Sequence, residues 1–422
     1  MNLKTTLIVL TIVSVVADTM ILPFYPQFFE QEFNLFAPEY VGYYIASCCF
    51  TVMVTFPLWA KLARNVNELH LWVYTQIISA CFGYASYTAD SLWSFWLLSQ
   101  CMLAFKASYL LIYPFCIRLE EQDKHLNIAG LFSILMHFSA IGGALLGGYV
   151  LRLFAPRDLY LVMIFADILQ VFVCLYLIYR YRFPFRQEQI TDQLADRTTA
   201  AEEAIADIGA KSWWQSLREK QHILAIGMVF LVLYFGSFLS RPFFTRYWEV
   251  LTETNNAVIS GFVYSIPAWV ALFALWVNHR RKDSGDGSKS IIYALLIGAV
   301  GLALHAVEST GAIIIGRCLF GWAIFQAAVR LEVLIFRLSP KQDYASDFSI
   351  VHLFQNIGVL MSSFAVGWIV TVSNLSMPFI ISALGFLAAL VTYLLLFKFV
   401  YPKADTEVVE QPEDADAQSA EH

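Results

Sequence analysis

Seven ionisable residues sit inside long apolar runs of this chain: Asp18, Lys106, Asp167, Arg241, Arg317, Arg330 and Glu332. A charge at the centre of a bilayer is unfavourable by roughly 2.5–3.5 kcal/mol on insertion scales, so such groups face a bundle interior or a watery cavity. Their chemistry is limited and definite. A carboxylate there can take up and release a proton, and an ammonium or guanidinium can pair with it or with an anionic ligand. The sequence holds no phosphate-binding GxxxxGK[ST], no HExxH and no GxSxG, so no ATPase or familiar hydrolase site is expected, and the chain reads as a non-enzyme. Its seven cysteines form no CxxC pair, so neither a metal nor another cofactor is expected, and no basic patch calls for nucleic acid.

The elements that must position these groups are membrane helices. Of 422 residues, 59% are hydrophobic and only 14% charged, with a mean hydropathy of +0.61. A soluble globular chain carries about 25% charged residues. Twelve apolar runs of helix-spanning length can be counted, near 5–29, 39–61, 70–89, 93–117, 127–150 and 159–181. They resume near 222–245, 257–278, 290–307, 311–336, 348–372 and 376–399. With both termini placed in the cytoplasm, lysines and arginines gather in the inner segments, and the outer loops keep only Arg152, Arg157 and Arg246. The expected organisation is a first six-helix bundle over 1–182, a cytoplasmic linker over 183–221, a second bundle over 222–402 and an acidic tail over 403–422. The end of the linker, "KSWWQSLREKQ", fits a short interfacial helix. The net charge of −6 reflects the tail and carries no information about partners.

The two halves repeat. At an offset of 219 residues, Pro23-Phe24-Tyr25 falls on Pro242-Phe243-Phe244, Gly42-Tyr43 on Gly261-Phe262, and Gly148-Tyr149 on Gly367-Trp368. In the fourth run the offset is 217, which places Gln100 on Arg317. Two six-span halves with the same starting side make a parallel repeat, a plan in which solutes bind at the repeat interface near mid-depth.

The sequence Asp18…Leu22-Pro23-Phe24-Tyr25-Pro26 resembles the first helix of proton-coupled exporters of the major facilitator superfamily. Gly143-Ala144-Leu145-Leu146-Gly147-Gly148 is similar to that family's antiporter motif Gly-Pro-x-x-Gly-Gly, with alanine in place of proline. The family's loop between spans two and three appears only as Ala60-Lys61-Leu62-Ala63-Arg64-Asn65, without its aspartate and glycines, which marks a divergent branch. The resemblance implies a twelve-helix, all-α membrane fold of two pseudosymmetric bundles, with helices 1, 4, 7 and 10 lining a central cavity. It also implies a monomeric, multi-pass carrier of a bacterial inner membrane, whose partners are a small organic solute, protons and the lipid bilayer.

Helical spacing then groups side chains on those four helices. Thr11, Ser14, Asp18 and Tyr25 share one face of helix 1, and Lys106, Tyr109 and Tyr113 one of helix 4. On helix 7 the group is Tyr234, Ser237 and Arg241, and on helix 10 it is Ala323, Gln326 and Arg330. By the helical rise, Arg241 lies about 6 Å outward of Asp18 and Arg330 about 10 Å inward of Lys106. Asp18 is the only acid on these stripes and is the expected proton carrier. Tyr25, Lys106, Tyr109, Tyr113, Tyr234, Ser237, Arg241, Gln326 and Arg330 are the expected solute contacts. A static Asp18–Lys106 pair and a pair broken by proton or solute both remain open. Gly143, Gly147 and Gly148 are expected to let helices approach closely. Asp167 is expected at the periphery, Glu332 in a local pair with Arg337, and His137, His305 and His352 in the core. The functional expectation is alternating-access transport of an amphipathic or anionic solute, such as a siderophore-like metabolite or drug, with proton-coupled export ahead of import. A transporter-like receptor that moves nothing is the rival.

Overall fold

Apolar sequence without an internal break becomes helix here almost everywhere, because a backbone surrounded by hydrocarbon must satisfy its own hydrogen bonds. The computed structural model describes residues 3–118, 125–186, 220–254, 256–280, 287–339 and 344–396. The first half contains α1 (Leu3–Thr19), α2 (Tyr25–Phe33), α3 (Pro38–Leu62), α4 (Glu68–Tyr87), α5 (Leu92–Lys106), α6 (Ile112–Arg118), α7 (His125–Leu153) and α8 (Asp158–Tyr181). The second contains α9 (Gln221–Leu239), α10 (Phe244–Thr252), α11 (Ala257–Arg280), α12 (Gly287–His305), α13 (Thr310–Leu338), α14 (Tyr344–Val372) and α15 (Met377–Tyr393). Among the described residues the only extended pairing is a bridge between Val66 and Arg186. The expected interfacial helix near the end of the linker and the acidic tail lie outside the described residues.

Local sequence sets several helix ends. Asn67 accepts a hydrogen bond from the Leu69 amide (3.1 Å) at the start of α4, and Ser91 accepts one from the Ser94 amide (3.1 Å) at the start of α5. Prolines open α3 and α15, where a missing amide costs nothing.

Helices occupy all twelve expected places, and ten of those described are long and apolar enough to cross a membrane. The other two places hold α4, which carries Glu68, His70 and Gln76, and the stretch from Leu92 to Arg118, whose helix changes pitch after Lys106. The chain is a multi-pass, all-helical membrane protein.

The repeat has a backbone counterpart. Both leading spans break at matching prolines, α1 into a 3₁₀ turn at Leu22–Phe24 before α2, and α9 into a turn before α10. Both second segments end on a residue in the left-handed region, Asn34 (φ 50°) and Glu253 (φ 51°), which stand 219 positions apart. One core cluster draws only on the first half, including Leu7, Trp72, Phe115 and Cys174. Another draws only on the second, including Phe230, Leu295, Phe320 and Phe386. A third joins Met20, Tyr44 and Tyr160 to Leu239, Phe243 and Val366 across the two.

The halves are tied together at one face. There α10 meets the break in the first span: Thr245 donates to the Pro23 carbonyl, and Gln27 Nε2 donates to Thr245 (3.0 Å) and to Glu249 (3.1 Å). Arg246 pairs with Glu30 at 3.1 Å, and Thr371 donates to Glu39. Backbones touch at the same level. A methyl on Gly148 would lie 2.8 Å from the Ala257 carbonyl carbon, and one on Gly42 3.0 Å from the Gly367 nitrogen. Gly143 and Gly147 face α1 instead, against Thr19 and Met20.

Candidate functional site

Two groups of polar side chains lie inside the bundle. The first is within the first half, where α1, α5 and α8 converge. Lys106 is the last residue of α5, and the chain tightens into a 3₁₀ turn directly after it, a change of pitch that in mid-span often marks a functional hinge. Its ammonium lies 2.8 Å from Asp18 Oδ1 and 2.7 Å from Asp167 Oδ1. Ser79 on α4 donates to the second oxygen of Asp167 at 3.0 Å. The two acids differ in exposure: the Asp167 side chain is 2% exposed and that of Asp18 is 33%. One cation between two carboxylates leaves the trio with one formal negative charge.

Asp167 was expected at the periphery. Instead the length of the lysine side chain carries its charge across to α8, so the acid shares in the pair expected of Asp18 and Lys106 alone. Ser14, one turn before Asp18, donates to Gln170 at 3.0 Å, which ties α1 to α8 at the next level. Thr11 donates to the Leu7 carbonyl of its own helix.

Of the tyrosines on the first-half stripes, Tyr109 keeps its hydroxyl near Thr11 and Ser14, Tyr113 lies within electrostatic reach of Glu332, and Tyr25 lies apart. Tyr109 is buried against Trp72, with ring centres 5.7 Å apart. Tyr113 is partly open and lies edge-on to Phe132 at 5.0 Å. Tyr25 lies beyond the break in the first span, in an aromatic cluster with Phe29 and Tyr44.

The second group surrounds a cavity of about 390 Å³ between α7 of the first half and α9, α11 and α13 of the second. Its polar lining includes His137, Tyr234, Arg241, Tyr264, Arg317 and Glu332; Phe320, Ile324, Phe325 and Pro267 supply apolar wall. Arg241 stands at the end of α9, its guanidinium 3.5 Å from Ser237 Oγ and 5.8 Å from the centre of the Phe238 ring. Arg317 is 2% exposed. It donates to the carbonyls of Val263 (3.3 Å) and Tyr264 and lies over the Phe244 ring at 4.0 Å, while its Nη1 has no hydrogen-bond partner. Neither arginine has a carboxylate within ion-pair distance among the described residues. Glu332, expected to pair with Arg337, instead faces the cavity and has no ion-pair partner among the described residues.

Of the expected contacts, Tyr234 and Arg241 line this cavity. Ser237 is buried behind Arg241. Gln326 forms a reciprocal pair with Asn278 on α11 (3.0 and 3.2 Å) and accepts from Arg330 Nη1 at 2.7 Å, so these two residues join a knot between α11 and α13. Gln100, the repeat mate of Arg317, accepts from Thr51 at 2.7 Å and places no charge in the first half. Arg317, Tyr264 and His137 fall on none of the four stripes. For Arg317 the available signal was its ionisable group inside an apolar span.

No protein-family model matches the chain, and no curated protein sequence does. Solved structures do. A mutant of the nucleoside transporter NupG superposes with a TM-score of 0.71 at 14% identity, covering 94% of this chain and all of that one. The POT family transporter PepTSo gives 0.71 at 11% identity over 94% and 98% of the two chains. An auto-inhibited POT family peptide transporter gives 0.70 at 13% over 93% and 96%. At such identities the likeness carries the architecture alone: this chain shares the fold of these transporter structures.

Proposed function

We propose that the chain is a secondary transporter that carries a small anionic organic solute by alternating access and couples its movement to protons through Asp18. The observation that carries the anionic reading is the cavity between the halves, lined by Arg241 and Arg317 with no carboxylate beside either. A buried charge is strongly unfavourable without a counter-charge, and an anionic solute supplies one. Tyr234, Tyr264 and Phe320 give it an aromatic wall. Lys106 is already flanked by two carboxylates, so in this reading the solute's charge falls to the arginines and Lys106 belongs to the proton site. Asp18 carries the proton because its side chain is one-third open while Asp167 is closed off. With the amino terminus in the cytoplasm, the tied face is external and the cavity opens inward.

Thermal stabilisation of the purified protein across a panel of organic anions, cations and neutral solutes tests the solute class. Anions are expected to stabilise it, and Arg241→Gln to remove most of that effect. Stabilisation confined to neutral or cationic solutes would overturn the assignment.

A further inference from the structure

The cavity is not uniformly positive. Arg317 and Glu332 both lie on α13, fifteen residues apart, which is about 22 Å along the helix axis. A volume of about 390 Å³ reaching residues so far apart describes a slot rather than a globe. Its two ends have opposite charge. Arg241 and Arg317 stand at one end, and Glu332 stands at the other. Tyr234 lies between them, within electrostatic reach of both Arg241 and Glu332. The wall between is apolar: Phe320, Ile324, Phe325 and Ala328 follow one another along α13, and Pro267 and Ala271 face them from α11.

A simple anion satisfies only half of this arrangement. It would neutralise the arginines and leave Glu332, partly buried at the other end of the slot, without a counter-charge. A second charge of opposite sign at the far end of the same solute supplies one. Resting on the proposed role of this cavity in carrying an anion, we infer that the solute is an elongated zwitterion. Its carboxylate or comparable anionic group sits at Arg241 and Arg317, its amine sits at Glu332, and an apolar or aromatic body lies between. Glu332 is then the residue that sets specificity for the amine.

Straight-chain ω-amino acids with five to eleven methylene groups, set against alkanoates of equal length that lack the amine, test this directly. Thermal stabilisation of the detergent-purified full chain is titrated with each compound, for the wild type, Glu332→Gln and Arg241→Gln. The expected result is a best length at which the amino acid binds at least tenfold more tightly than its alkanoate. Glu332→Gln should erase that advantage without weakening the alkanoate, and Arg241→Gln should weaken both. No advantage at any length, or one that survives Glu332→Gln, would overturn the zwitterion while leaving an anion carrier standing. Failure of both series to bind would remove the anion site itself, and the inference with it.

Discussion

Lys106 connects three helices through two carboxylates of unequal exposure, and that inequality separates their roles. Removing the lysine leaves two acids facing each other, one of which, Asp167, is closed off from solvent. Breaking a buried pair in this way typically costs about 3–5 kcal/mol. Lys106→Met is therefore expected to lower the thermal midpoint sharply, and Lys106→Met/Asp167→Asn to recover part of the loss, because the remaining acid, Asp18, is 33% exposed and can be solvated. A double variant no more stable than the single one would mean that the charge pair contributes little to folding. Asp18→Asn leaves the shorter contact, Lys106 to Asp167 at 2.7 Å, in place. It should fold normally and bind solute, yet lose the response of transport to an imposed pH gradient in proteoliposomes. A wild-type response would move coupling to another group. The sequence marked Asp18 and Lys106 by charge, spacing and depth. It did not mark Asp167 as their neighbour, because helical periodicity gives the face a residue occupies but not the helix that the face meets.

At the scale of elements, small residues decide which helices touch. The spacing of Gly143, Gly147 and Gly148 announced close packing, and the structure divides it between two partners. Gly143 and Gly147 meet α1 within the first half, whereas Gly148 meets the start of α11 across the two halves. Side chains at these positions should therefore fail differently. Gly147→Leu must displace Met20 and α1, so it is expected to reduce the yield of folded protein; forced overpacking commonly costs about 1–3 kcal/mol. Gly148→Leu should fold and wedge the halves apart at the tied face. In a cysteine-free background carrying Thr371→Cys, it should speed labelling by a membrane-impermeant thiol reagent several-fold. Unchanged labelling would show that this contact does not hold the face closed. The stripes on α1, α5, α9 and α13 were legible as faces. Three features redirected them: the break after Thr19, the change of pitch after Lys106, and the Gln326–Asn278 knot. Proline at position 23 foretold the first, while nothing in the local sequence foretold the second.

The whole molecule is a pair of halves closed at one face over a cavity. The offset of 219 residues made the repeat readable, because apolar runs, paired prolines and matching helix glycines are local signals that survive divergence. The charge of the cavity was less readable. It depends on Arg317 and Glu332, which lie on α13 but off the stripe chosen by spacing, and on α7, which supplies His137 from the other half. The account predicts that closure at the face tied by Glu30 and Arg246 must open for a solute to pass. The most direct test is solute flux in proteoliposomes reconstituted with a Glu30→Cys/Arg246→Cys protein in a cysteine-free background. It uses an anion that stabilises the protein and a short reducible bifunctional thiol cross-linker. Flux should stop on cross-linking, return on reduction, and stay unaffected by the reagent in either single-cysteine protein, while binding to detergent-solubilised protein persists throughout. Undiminished flux through the cross-linked protein, or binding without flux in the uncross-linked one, would contradict alternating access between these halves.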